Sequence, residues 1–236
     1  MSKLRGVLQD PLLSVVMPVF NESETIEEIV RRVLAVPVRI QLIVVDDGSS
    51  DGTRDILPSL ERELGFTLVL QPRNQGKGAA LRRGFDEVRG DIVVIQDADL
   101  EYSPEEFPSL IELIAEGRAD VVYGSRFLGR HRVFLFTHYL GNRLLTLVTN
   151  VLYNTMLTDM ETCYKVMRTE VLRSMSLHSD GFGIEPELTA KIFKRGYRVY
   201  ELPITYDGRG YDEGKKITWR DGLVALWVLV KYRFTE

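Results

Sequence analysis

The sequence predicts an α/β fold built on a mostly parallel sheet, because short apolar, β-branched runs alternate with amphipathic helical stretches through the first half of its 236 residues. Buried parallel strands read as continuous apolar runs. Such runs stand at about 13–18, 41–46, 67–70, 91–96 and 120–124. Helices are expected between them at about 22–35, 51–64, 76–88 and 104–116. In the first helix Ile26, Ile29, Val30 and Val33 recur at helical spacing, and Pro104 marks the approach to the fourth. After Arg126 the alternation fades into a helical, apolar stretch, with one more strand expected near Arg198–Tyr206 and a turn at Phe182–Glu187. With no repeat and no low-complexity linker, the length fits one domain over 1–236.

Two of the expected strands end in acid pairs. Val93-Val94-Ile95-Gln96 runs into Asp97-Ala98-Asp99-Leu100-Glu101, and Leu42-Ile43-Val44-Val45 runs into Asp46-Asp47 before a Gly/Ser turn. A third strand, Leu13–Val19, also leads into a polar turn, Phe20-Asn21-Glu22. Ligands of open α/β sheets gather at the carboxyl ends of strands. Three carboxyl groups as close as Asp97, Asp99 and Glu101 raise one another's pKa unless a cation neutralises them. Hard oxygen ligands suit Mg²⁺ or Mn²⁺. The plainer alternative is that these acids end a strand and open a turn; for Asp51, capping of the next helix is the preferred reading.

Four ordered motifs carry a family resemblance: Val15-Val16-Met17-Pro18-Val19-Phe20-Asn21-Glu22, Val44-Val45-Asp46-Asp47-Gly48-Ser49-Ser50-Asp51-Gly52-Thr53, Asn74-Gln75-Gly76-Lys77-Gly78 and Asp97-Ala98-Asp99. Together they resemble family 2 of the inverting glycosyltransferases, with the nearest likeness to dolichyl- and polyprenyl-phosphate mannose and glucose synthases. The likeness spans roughly residues 12–217. It implies a GT-A type, Rossmann-like single domain. About 12–125 would hold a UDP- or GDP-hexose donor, and about 126–236 an acceptor at a membrane face.

By this resemblance Pro18, Phe20, Glu22 and Asp47 hold base and ribose, while Asp46 braces its loop. Lys77, between two glycines at a helix start, faces donor phosphate or base, since free N–H groups and the helix dipole favour anions there. Gln96, Asp97 and Ala98 line the nucleotide-sugar site, Asp97 touching ribose or sugar, and Asp99 and Glu101 are the metal ligands. Relatives often carry Gln at the position of Glu101, so an extra negative charge is expected beside the ion. Asp97, Asp99 and Arg126 are the expected catalytic residues.

In the second half Ser125, Arg126, Lys165, Glu185, Arg209 and Lys215 are the expected acceptor contacts. Cations suit a phosphate acceptor, which is already anionic and needs no general base. A hydroxyl acceptor needs one, and Glu185 is then the candidate, so its role is left open between base and orienting group. The segment Gly208–Lys216 is expected to close over the donor as a loop.

A net charge of −4 with 27% charged residues excludes the strong basic excess of nucleic-acid proteins. The single cysteine, Cys163, allows no internal disulfide, and a buried structural thiol is expected. The first twelve residues lack the apolar core of a signal peptide, so a cytoplasmic catalytic face is expected. No apolar run reaches the length of a transmembrane helix. The stretches Phe134–Leu157 and Leu223–Val230, bordered by aromatic and basic residues, suit helices lying at a membrane headgroup layer. The alternatives for them are sheet cover or a homodimer contact. Rival functions are transfer to a hydroxyl acceptor, nucleotidyl transfer, and a silent membrane adaptor; a retained repelling acid cluster argues against the last.

Overall fold

The computed structural model describes residues 6–132, 135–208 and 219–235. Its strands are β1 (Leu13–Val19), β2 (Ile40–Asp46), β3 (Thr67–Leu70), β4 (Ile92–Ile95), β5 (Val121–Ser125), β6 (Lys165–Arg168) and β7 (Val199–Pro203). Its helices are α1 (Ile26–Ala35), α2 (Thr53–Leu64), α3 (Lys77–Phe85), α4 (Phe107–Ala115), α5 (Phe136–Tyr153), α6 (Thr169–Arg173), α7 (Ile184–Lys194) and α8 (Trp219–Phe234), with a short 3₁₀ turn at Pro104–Glu106. The expected elements of the first half are all present to within a few residues.

The strands form one seven-stranded sheet in the order β3-β2-β1-β4-β6-β5-β7. All neighbours run parallel except at β6, which is antiparallel to both β4 and β5. The order reverses at β1–β4, where the chain steps outward on either side, and the crevice beyond those carboxyl ends is the expected ligand position. Residues of β1, β2 and β4 are almost entirely buried, as their unbroken apolar runs require. α1 packs Ile26, Ile29, Val30 and Val33 inward, the periodicity that predicted it.

β6 and α7 differ from expectation. Four residues long, β6 carries a basic residue at each end, Lys165 and Arg168, so no apolar alternation announces it. Because it runs backward, its first residue lies at the same sheet edge as the carboxyl ends of the parallel strands. The segment Phe182–Glu187 is no simple turn, since α7 begins at Ile184; Pro186 sits in its first turn, where the missing N–H costs no helical bond.

In α5 the side chains buried most deeply are Thr146 and Thr149, while Leu140, Leu144, Leu147 and Val151 on one stripe are more than half exposed. α8 likewise turns Leu223, Trp227, Val230 and Phe234 outward. The two helices pack against each other, and Tyr153 donates to the Leu229 carbonyl at 2.7 Å. Among the described residues no helix is long and apolar enough to cross a membrane.

Candidate functional site

One edge of the sheet gathers the carboxyl ends of the six parallel strands and the first residue of β6. After β1, Asn21 adopts a left-handed φ of 54° and clasps the turn after β2. Its N–H donates to Ser49 Oγ at 2.9 Å, and its Oδ1 accepts from the Ser50 N–H at 2.9 Å. The Glu22 N–H donates to Thr53 Oγ1 at 2.9 Å, and Pro18, Phe20 and Glu22 remain partly exposed at the rim. Asp51 accepts from the Thr53 N–H, the Thr53 hydroxyl and the Ser23 N–H. Against the opposing effect of burial, these bonds hold its pKa far below the usual carboxylate range.

Asp46 and Asp47 are both buried. Asp46 braces its own loop, accepting from the Gly48 N–H at 3.2 Å and pairing with Arg54 Nε at 3.1 Å. Asp47, expected at base and ribose, accepts from Gln71 Nε2 at 2.9 Å and from the N–H groups of Gln75 and Gly76, each at 2.8 Å. Burial raises its pKa, and those two backbone donors pull the other way. Asp47 thus fixes the loop that leads into α3.

The start of α3 departs most from expectation. The Ala79 N–H, one of the donors an anion would use, is taken by the Asp180 carbonyl at 2.9 Å. A Cβ at Gly78 would collide with the Ser179 carbonyl, and one at Gly76, whose φ is 98°, would lie 2.5 Å from the Asp180 carbonyl. These glycines admit the 179–181 backbone and so join the two halves of the domain. Arg82 pairs with the Asp180 carboxylate on the same seam.

Lys77 reaches Asp97 Oδ1 at 2.8 Å and Glu185 Oε1 at 3.3 Å, and Glu185 Oε2 lies 2.7 Å from Lys165 Nζ. Burial disfavours the charge on Lys77, yet the two carboxylates outweigh it and hold its pKa well above normal. Opposite charges therefore alternate along Asp97–Lys77–Glu185–Lys165 at the base of the crevice. Lys165, expected among the acceptor's cations, is fully buried and also donates to the Thr162 carbonyl, so it offers no exposed charge. Gln96 is fully buried as well, accepting from the Tyr164 hydroxyl at 2.6 Å. Ala98 is buried, and its carbonyl accepts from Thr25 Oγ1 at 2.8 Å. Burial first, and Asp97 second, push the Cys163 thiol up, which makes it inert and structural.

Beyond Asp97 the chain turns through Leu100, whose φ is 63°, and sets Asp99 and Glu101 at the rim. The Glu101 N–H donates to Asp99 Oδ1 at 3.2 Å. Among the described residues no group of three or more His, Cys, Asp or Glu side chains is gathered to hold a metal ion. Two neighbouring carboxylates nevertheless fit Mg²⁺ or Mn²⁺ of the kind bound by one or two protein oxygens, waters and substrate phosphates.

On the acceptor side Arg126 is buried and bidentate with Asp159, at 2.7 Å from Nε and 2.8 Å from the terminal nitrogen. Its guanidinium lies 5.2 Å from the centre of the Tyr206 ring. Ser125 is buried against Thr158, hydroxyl to hydroxyl at 2.6 Å. Arg209 and Lys215, with the expected loop Gly208–Lys216 beyond its first residue, lie outside the described residues. Sequence reasoning passed over Glu161 and Tyr206. Glu161 Oε1 is buried without a hydrogen bond, and burial, with Glu185 adding to it, lifts the carboxyl to about 7. The Tyr206 hydroxyl donates to Glu101 Oε2 at 2.6 Å across a separation of 105 residues, which no local spacing signals.

A doubly wound, mostly parallel sheet with acid-ended strands at its switch point matches the architecture of the GT-A glycosyltransferases. The family model of glycosyl transferase family 2 matches residues 14–175, and the chain belongs to that family. It is 30% identical over 209 residues to a dolichol-phosphate mannosyltransferase of Pyrococcus furiosus, covering 86% of this chain and 58% of the relative. It is 31% identical over 209 residues to an undecaprenyl-phosphate 4-deoxy-4-formamido-L-arabinose transferase of Edwardsiella ictaluri, covering 86% of this chain and 62% of the relative. The chain thus spans less than two thirds of the length of both. Glucosyl-3-phosphoglycerate synthase from Mycobacterium tuberculosis, solved with Mn²⁺, UDP and phosphoglyceric acid, superimposes with a TM-score of 0.74 at 23% identity, covering 95% of this chain and 79% of the other. That likeness establishes the GT-A fold.

Proposed function

We propose that the protein transfers a hexosyl group, glucose or mannose, from a UDP- or GDP-sugar to a polyprenyl phosphate at the cytoplasmic face of a membrane, with inversion at the anomeric carbon. The observation that carries the reading is the meeting at one sheet edge of Asp97, Asp99 and Glu101 with the buried, bidentate Arg126. The first group suits a donor diphosphate; the second is already paired with Asp159, but that pair uses two of the five guanidinium N–H donors, and the others are the ones to meet an anionic acceptor. The two relatives, each named for a lipid phosphate, support the acceptor class.

In this reading Asp97, held by Lys77, meets the sugar or ribose, and Pro18, Phe20 and Glu22 border the base. Arg126 steers the acceptor phosphate to the face of the sugar opposite the diphosphate. An acceptor phosphate oxygen bonds to the anomeric carbon as the bond to the leaving diphosphate breaks, and the bonding pair departs with the nucleoside diphosphate. Bound Mg²⁺ or Mn²⁺ at Asp99 and Glu101 supplies neutralisation of the charge that grows on that leaving group. No proton need be removed from a phosphate dianion. Both oxygens of Glu185 are engaged by lysines, which supports an orienting role for it and with that the phosphate acceptor. The outward apolar stripes of α5 and α8, beside exposed Arg143, Arg220, Lys231 and Arg233, support contact with a lipid surface.

The test is transfer of radiolabelled hexose from UDP-glucose and GDP-mannose to undecaprenyl phosphate in vesicles. Label extracted into organic solvent, dependent on the lipid, supports the reading. Label confined to a water-soluble product in the same lysate-free reaction points to a hydroxyl acceptor instead.

A further inference from the structure

Tyr206 lies far from the donor motifs in sequence, yet it links Glu101 on the donor side to Arg126 on the acceptor side. Isolated bridges tie its backbone to Tyr102 on one side and His131 on the other. Its N–H donates to the Arg130 carbonyl at 3.0 Å, and its carbonyl accepts from the Arg132 N–H at 3.0 Å. The ring is buried, stands edge-on to Tyr102 with centroids 5.1 Å apart, and lies 5.2 Å from the Arg126 guanidinium. A tyrosine fixed in this way at backbone and ring has little freedom to place its hydroxyl elsewhere. That hydroxyl donates to Glu101 Oε2 at 2.6 Å, and the next residue reinforces the contact, its Asp207 N–H donating to the Glu101 carbonyl at 3.1 Å.

We propose that Tyr206 is a positioning residue for the metal centre: it orients the Glu101 carboxylate toward a divalent ion while its ring supports Arg126, so that the donor's metal and the acceptor's arginine are set by one side chain. Carboxylates that ligate metals are themselves held by hydrogen bonds, and loss of such a partner weakens metal affinity by about 10–100-fold. The inference rests on the reading of Glu101 as a metal ligand.

The experiment is calorimetric titration of UDP and of GDP into wild type, Tyr206→Phe and Glu101→Ala, each with Mn²⁺ and with EDTA. Tyr206→Phe keeps the ring, so its melting temperature without metal should stay close to wild type and report an intact fold. The expected result is a loss of about tenfold or more in the Mn²⁺-dependent nucleotide affinity of Tyr206→Phe, with unchanged affinity in EDTA. A purely structural tyrosine would alter both conditions alike, and that result overturns the inference. So does wild-type Mn²⁺-dependent affinity in Tyr206→Phe when Glu101→Ala has lost it. If Glu101→Ala also binds like wild type, or if neither nucleotide shows Mn²⁺-dependent binding, the assignment of Glu101 falls and takes the inference with it.

Discussion

Replacing Glu161 with Gln tests the electrostatics of the acceptor half without touching the donor motifs. Burial raises the Glu161 carboxyl from 4.5 to about 7, Lys165 and Arg126 pull it down, and Glu185 and Asp159 push it up. A carboxyl with a raised pKa in the folded state holds its proton there while the unfolded chain has already released it. Stability is therefore greatest below the unfolded value of 4.5 and falls as pH rises toward about 7. At about 1.4 kcal/mol per pH unit, the full cost above that window is about 3 kcal/mol as an upper figure. Gln cannot ionise and escapes this cost. Relative to wild type, Glu161→Gln should gain up to about 3 kcal/mol between pH 4.5 and 8, a rise in melting temperature of roughly 6–12 °C for a chain of this size. The assay is thermal unfolding of both proteins at half-unit intervals from pH 4.5 to 8. A difference in melting temperature that stays constant across the range would refute the reasoning, because a pH-independent effect comes from packing and not from the charge.

Three further perturbations address the seam, the arginine and the apolar stripes. Gly78→Ala should cost about 1–3 kcal/mol and expose the 179–181 segment to proteolysis, since its Cβ meets the Ser179 carbonyl; unchanged urea unfolding would contradict the seam. Arg126→Lys loses the bidentate geometry and leaves Asp159 incompletely paired in the interior. It should lower stability by about 2–4 kcal/mol and raise the KM for lipid phosphate more than that for donor, as steady-state kinetics would show. Leu144→Glu combined with Trp227→Glu, on the exposed stripes of α5 and α8, should abolish sedimentation with anionic vesicles and leave the melting temperature within about 2–4 °C, because surface substitutions rarely exceed ~0.5 kcal/mol each.

Much of the fold was legible because β1, β2 and β4 are buried on both faces and therefore unbroken in hydrophobicity, and because α1 shows its inward stripe plainly. β6 was not, since four residues with Lys165 and Arg168 at their ends give no periodicity, and its place between β4 and β5 depends on pairing over long separations. The acid-ended strands do run out at one common edge of the sheet. What each acid bonds to was hidden, because Asp47 is occupied by a loop some 28 residues on and Lys77 by a helix from the other half. The two glycines around Lys77 read as a phosphate cradle, and the same lack of a Cβ serves close backbone packing just as well. Tyr206 and Glu161 carry no local signal at all; their importance arises only when chain segments far apart in sequence converge.

Binding of UDP and GDP to wild type and to Asp99→Ala, each with Mn²⁺ and with EDTA, measures most directly whether this sheet edge is a metal-assisted donor site. The account predicts Mn²⁺-dependent binding of one nucleotide to wild type and its loss in a folded Asp99→Ala. Equal binding by the two proteins, or no Mn²⁺-dependent binding of either nucleotide to wild type, would contradict it.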